Sequence, residues 1–208
     1  MQFRCQEGHD IFLSWNKVRD KFVCPICKRN RFSDKANEFP EKKKGTQRVL
    51  ALDQATYKTG YSVFDNQKLI KYGVFETKLS DEIARDSAIK TWLISMLDGL
   101  NPDYVAIEGI QYEQHFGVVV FQTLARLQGI LLETLYWEKI PYLVCPTNTW
   151  RAYCQVKGRA RVDRKRSMQQ IIKQNYDVSV TDDEADAIGI GKYASETLTK
   201  KTVITNWE

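Results

Sequence analysis

The sequence predicts an α/β fold, a mixed sheet flanked by helices, preceded by a small metal-stapled module. Three observations carry this. Short apolar runs alternate with stretches of helical periodicity over residues 48–197, and the first three runs follow one another with no helix between them. Three of the five cysteines and one of the two histidines crowd into the first 27 residues. The 208-residue chain is 43% hydrophobic and 12% aromatic, enough for a substantial core, which excludes disorder as its main state. No uninterrupted apolar run reaches the roughly 18 residues of a membrane span. The best candidate, Phe116–Tyr136, is broken by Gln122, Arg126, Gln128 and Glu133. The opening Met1-Gln2-Phe3-Arg4-Cys5 lacks the charged and apolar regions of a signal peptide. A cytoplasmic protein with no membrane partner is expected.

Residues 1–30 read as a zinc ribbon. Cys5-x3-His9, fourteen residues, then Cys24-Pro-Ile-Cys27 supplies four ligands as two close pairs, the arrangement tetrahedral Zn²⁺ requires. Pro25 suits the tight turn of the second pair, and Ile11, Leu13, Trp15, Val18 and Phe22 give a small hairpin apolar surface. The rival, a Cys24–Cys27 redox pair, leaves His9 without a role and lacks a thioredoxin-like strand–helix context. With four protein ligands the one zinc is structural. Residues 31–47 are polar and basic and read as a linker, ending in Glu41-Lys42-Lys43-Lys44-Gly45. Residues 1–46 carry 11 Lys/Arg against 6 Asp/Glu, so the net charge of +5 belongs to this end, as in basic arms that meet nucleic acid.

The domain from 48 to 208 opens as a meander. Arg48–Asp53 is an apolar strand ending in a carboxylate, Gln54–Lys58 turns, Thr59–Phe64 alternates, and Lys68–Thr77 is a third strand after Asn66. Ile83, Ala84, Ala88, Trp92, Leu93 and Met96 recur at helical spacing over Asp81–Leu97. Tyr104–Glu108 is a second apolar strand ending in an acid, followed by a long helix over Phe116–Glu138. Pro141–Cys145 is a strand, Thr147–Cys154 a short helix and Val162–Gln174 a basic helix. The closing helix, Asp182–Glu196, carries Ala185, Ala187, Gly189, Gly191 and Ala194, small enough to lie close on a sheet.

Four acids stand out. Asp53 and Glu108 each end an apolar strand, and Asp183 and Asp186 share a face of the last helix. Each alone has a plain explanation, a turn or a helix start. Buried together they repel unless cations lie between them, and hard oxygen donors suit two Mg²⁺ or Mn²⁺ per site, the apparatus of phosphodiester hydrolysis.

Ala51-Leu-Asp53-Gln-Ala-Thr-Tyr-Lys-Thr-Gly60-Tyr-Ser-Val resembles the first motif of the RuvC family of Holliday junction resolvases. Val105-Ala-Ile-Glu108 resembles the second motif, and Asp183-Glu-Ala-Asp186-Ala-Ile-Gly-Ile the closing helix. Pro146–Ile172 is similar to the family's Pro-led helix, basic loop and Lys-started helix. The likeness spans residues 48–197. It implies a ribonuclease H-like fold, catalysis by Asp53, Glu108, Asp183 and Asp186 as Mg²⁺ ligands, and resolution of four-way DNA junctions, whose two symmetry-related strands a C2 homodimer would match. The family's basic residues near the scissile phosphate fall on Arg151 and Lys165. Gln54-Ala55 departs from the Pro-Gly usual in bacterial members, and the added ribbon suggests a phage or mobile-element type.

The residues themselves support a nucleic-acid partner. Gln155–Lys173 places Lys157, Arg159, Arg161, Arg164, Lys165, Arg166 and Lys173 against Asp163 alone. Such a patch positions phosphates without reading bases. Tyr112 and Phe116 follow Glu108 closely, where the resemblance implies an aromatic wedge in an opened junction, with ordinary helix packing as the alternative. Cys145 and Cys154 read as small buried hydrophobes. Two further readings stand beside the resolvase: a ribonuclease H acting on RNA–DNA hybrids, and a non-enzymatic branched-DNA scaffold.

Overall fold

The computed structural model describes residues 2–4, 10–12, 39, 41–112 and 117–197. Strand β1 (Gln2–Arg4) pairs antiparallel with β2 (Asp10–Phe12), so Asp10–Phe12 pairs back onto the chain's start. Cys5, His9, Cys24 and Cys27 lie outside the described residues, as does Phe116.

The main sheet has five strands: β3 (Arg48–Asp53), β4 (Lys58–Asp65), β5 (Lys68–Glu76), β6 (Tyr104–Gly109) and β7 (Tyr142–Pro146). Their spatial order is β5-β4-β3-β6-β7, with the meander antiparallel and β6 and β7 parallel to β3. The β4–β5 hairpin turns on Asn66 and Gln67, both at positive φ, as a two-residue turn with the strands' own twist requires. The helices are α1 (Glu82–Leu100), α2 (Gly117–Trp137), α3 (Thr147–Tyr153), α4 (Arg161–Tyr176) and α5 (Asp182–Thr197). Local chemistry sets their limits. The Asp81 carboxylate accepts from Ala84 N at 2.7 Å to start α1, and Asn101 ends it in the left-handed region before Pro102. Thr181 and Glu184 hold each other's backbone N–H at the start of α5, a reciprocal capping box.

Strand alternation sorts the core. Leu50 and Leu52 of β3, with Val105 and Ile107 of β6, face α1 and α2 and pack on Leu93, Leu97, Leu127, Leu131 and Leu135. Val49 and Ala51, with Ala106, face the other way, onto Trp150, Met168, Ile172 and Ile188. Covered on both sides, β3 and β6 read as near-continuous apolar runs. Cys145 and Cys154 are buried free thiols, as expected.

Two features add to these expectations. Despite its polar interruptions, α2 is long and apolar enough to cross a membrane. Its Leu127, Leu131 and Leu135 stripe is spent on the sheet, and Arg126 pairs with Asp86 and Glu82 of α1. That stripe serves core packing, while Val118, Val119, Val120, Tyr136 and Trp137 of the same helix stay exposed. The expected linker is, at its C-terminal end, docked: Lys42 pairs with Asp103 at 2.7 Å, and Phe39 packs against Gly99 beneath the Lys71 ammonium.

Candidate active site

Register alone brings two acids together. Leu52 of β3 lies opposite Ile107 of β6, so Asp53 and Glu108 stand side by side at the strands' C-terminal ends. Both continue the alternation of Val49, Ala51 and Ala106, which puts them on the face covered by α5. Helix α5 can reach that face because its contacts are small. Gly60 of β4 lies so close to the Asp183 carbonyl that a Cβ would overlap it, and Gly191 likewise abuts Ser62 and Phe64. Ser62 Oγ donates to the Ala187 carbonyl at 2.7 Å and fixes the helix in register. Asp183 and Asp186 thereby join Asp53 and Glu108 around one cleft of about 260 Å³.

The same cleft is lined by Arg151, Arg161, Arg164 and Lys165. Arg151 stands 3.9 Å from Glu108 Oε1 and 3.7 Å from Asp186 Oδ2. Lys165 Nζ donates to Asp182 Oδ2 at 2.6 Å, so the neighbour of the expected acid pair holds it. Lys157 and Arg159 are exposed but do not line the cleft. Their loop is tied to α4: Lys157 N donates to Ser167 Oγ at 2.9 Å, and Gly158, at φ +117°, leaves no room for a Cβ beside Asp163. Tyr112 is exposed and meets Phe121 edge-on at 5.9 Å, outside the lining.

Electrostatics mark the cluster as strained. Burial first, then Glu108, Asp186 and Asp183, push the Asp53 carboxyl well above the usual range, and a hydrogen bond with Glu108 adds to this. Asp186 is pushed up to about 6, chiefly by burial; Arg151 pulls against the rise, and Glu108 adds to it. As the side chains stand, no three His, Cys, Asp or Glu among the described residues close around one point. The Arg151 guanidinium, 3.9 Å from Glu108 and 3.7 Å from Asp186, offsets part of the repulsion instead. The donor set nevertheless fits hard divalent cations: four carboxylates, all oxygen, line one cleft, and burial and mutual repulsion disfavour the ionised forms of Asp53 and Asp186.

Sequence reasoning did not single out the residues around Glu108. Gln54 and Gln128 both donate to its main-chain carbonyl, at 3.0 and 2.9 Å, and Trp150 Nε1 donates to its Oε1 at 3.1 Å. Trp150 gave no signal beyond being one of five tryptophans, and Gln54 registered only as a departure from Pro-Gly.

Among solved structures, the fold resembles RuvC from Thermus thermophilus, with TM-score 0.57 and 16% identity, over 76% of this chain and 98% of that one. It resembles T. thermophilus RuvC in complex with a Holliday junction substrate at TM-score 0.56 and 16% identity, over 73% and 96%. The yeast mitochondrial Holliday junction resolvase Ydc2 follows at TM-score 0.51 and 15% identity, over 82% and 89%. The mixed sheet with its flanking helices is thus similar to RuvC's ribonuclease H-like fold. No protein-family model and no curated sequence matches the chain.

Proposed function

We propose that this protein is a metal-dependent endonuclease that resolves four-way or other branched DNA junctions. One observation carries the reading: four carboxylates from β3, β6 and α5 converge in a cleft that four cationic side chains also line. The solved resolvases of similar fold, one of them bound to a Holliday junction, supply the substrate class. Asp53, Glu108, Asp183 and Asp186 are assigned as holders of two Mg²⁺ or Mn²⁺. Bound there, such ions supply activation of the attacking water and neutralisation of charge at the leaving 3′ oxygen.

The chain's own residues do the rest. Lys165 and Arg151 exchange their carboxylate partners for backbone phosphates when DNA enters, and Arg161 and Arg164 extend that grip along the strand. Lys157 and Arg159, outside the cleft, contact the duplex farther away. Tyr112, with Phe116, is the candidate probe of an opened crossover. Selection of a junction follows from shape, because every phosphodiester offers the cleft the same chemistry. A C2 homodimer matches a substrate with two symmetry-related strands to cut. Val118 and Val119, exposed at the start of α2 beside the cleft, offer apolar surface for that contact. The zinc-ribbon module at residues 1–30 is assigned as an accessory DNA contact of a phage or mobile-element enzyme acting on DNA in the host cytoplasm.

The test is incubation with a synthetic four-way junction, a linear duplex and an RNA–DNA hybrid, with and without Mg²⁺. Paired, Mg²⁺-dependent nicks in the junction are expected, and Asp53→Asn should abolish them while leaving junction binding intact or tighter. Preferential cutting of the hybrid would favour the ribonuclease H reading instead.

A further inference from the structure

Glu108 is gripped at three points by side chains from three different elements. Gln54, on the loop after β3, and Gln128, on α2, donate to its main-chain carbonyl. A carbonyl oxygen accepting twice has both lone pairs engaged, so the backbone beneath the carboxylate is fixed. The side chain retains its own torsions. The Trp150 indole N–H donates to Oε1 at 3.1 Å.

Trp150 is built to stay in place. It is fully buried in the core between the sheet and α5, in a cluster with Met168 and Ile188. The edge of its six-membered ring faces Gly189 of α5 so closely that a Cβ there would approach Cζ3 at 2.9 Å. An indole is a donor only, and its buried N–H has Glu108 as its partner; left unpaired, such a group would keep its desolvation penalty with nothing to offset it. Arg151, the next residue, also approaches Glu108 Oε1, but from 3.9 Å and on a side chain 27% exposed. A phosphate can draw Arg151 away; it cannot draw away Trp150.

We propose that Trp150 is a positioning residue. Its indole N–H holds Oε1 of Glu108 and so leaves Oε2 turned toward a divalent cation. This rests on the reading of the cleft as a cation site, and it links α5, which carries two of the acids, to the orientation of a third.

Two variants separate the N–H from the bulk of the ring. Trp150→Phe removes the donor and part of the ring. Site-specific replacement of Trp150 by its benzothiophene analogue puts sulfur in place of the N–H and keeps the bicyclic shape. Mn²⁺ binding to the DNA-free protein is measured by titration calorimetry, junction cleavage across a Mn²⁺ series, and the thermal midpoint of each variant. Both variants should bind Mn²⁺ roughly 10- to 100-fold more weakly and recover cleavage at high Mn²⁺, with the analogue's midpoint unchanged. Wild-type Mn²⁺ affinity in the analogue would overturn the proposal, whatever Trp150→Phe does, because the ring's shape would then be its whole contribution. Glu108→Gln serves as the control. If it retains Mn²⁺ binding and cleavage, the cation-site reading itself fails. If it loses both while the analogue loses neither, only the positioning role fails.

Discussion

Replacing Asp186 with Asn should make the metal-free protein more stable while destroying its activity. The Asp186 carboxyl is raised from 3.8 to about 6, chiefly by burial, with Glu108 and Asp182 adding and Arg151 and Lys165 opposing. Its side chain is only 16% exposed, so solvent screens little of this. A rise of that size, at 1.36 kcal/mol per pH unit, corresponds to on the order of 3 kcal/mol. The sign follows from linkage. The folded chain holds the proton more tightly than the unfolded chain, so this stability is fully present below pH 4 and is lost as pH rises through about 6. At pH 7 wild type lacks it, whereas neutral Asn keeps it. For a chain of this size the thermal midpoint should therefore rise by roughly 6–12 °C at pH 7 and hardly at all near pH 4. The assay is thermal unfolding of both proteins from pH 4 to 8 in buffer free of Mg²⁺ and Mn²⁺. No chelator is used, since one would also strip the proposed zinc. Adding Mg²⁺ should then stabilise wild type more than the variant, because a ligand of the folded state favours folding by mass action. Parallel profiles for the two proteins across the whole pH range would refute the account of a strained acid cluster.

Four further outcomes are expected. Gly60→Ala drives a methyl into the Asp183 carbonyl, so it should cost at least about 1–3 kcal/mol in urea unfolding and cut cleavage sharply by lifting α5 from Asp53. Lys165→Ala should lower cutting of junction, flap and nicked duplex alike and flatten the salt dependence of binding. Asp182→Asn, which frees Lys165 from its 2.6 Å partner, should tighten DNA binding in a gel-shift assay. Zinc measured by atomic absorption should come to about one per chain, and Cys24→Ser should lose it together with the fold of a module too small to hold itself.

The elements were legible because most are decided locally. Strand β3 runs from Arg48 to Asp53 as its apolar run and terminal acid suggest, and α5 begins where Thr181 and Glu184 form a cap. The small residues of α5 announced a close approach, and Gly189 and Gly191 make it. The character of α2 was harder to read. Its composition satisfies a membrane span as well as a core helix, and only the Arg126 pairs with Glu82 and Asp86 and the seating of Leu127 and Leu131 on the sheet distinguish the two.

The sequence by itself determined which residues carry charge and on which element each sits: Asp53 and Glu108 at strand ends, Asp183 and Asp186 on one helical face, the basic run from Lys157 to Lys173. These follow from periods of 2 and 3.6, which need no knowledge of distant neighbours. What it left open is which charges meet. That Lys165 pairs with Asp182, that Arg151 stands between Glu108 and Asp186, and that Lys157 and Arg159 fall outside the cleft depend on how α3 and α4 lie against α5. The grip of Gln54, Gln128 and Trp150 on Glu108 was equally invisible. Hydrogen bonds spanning 20 to 54 residues arise only when β3, β6, α2 and α3 are assembled, and an amide or indole carries no local pattern that foretells its partner. Local periodicity places a side chain on its element; packing between elements chooses what it touches.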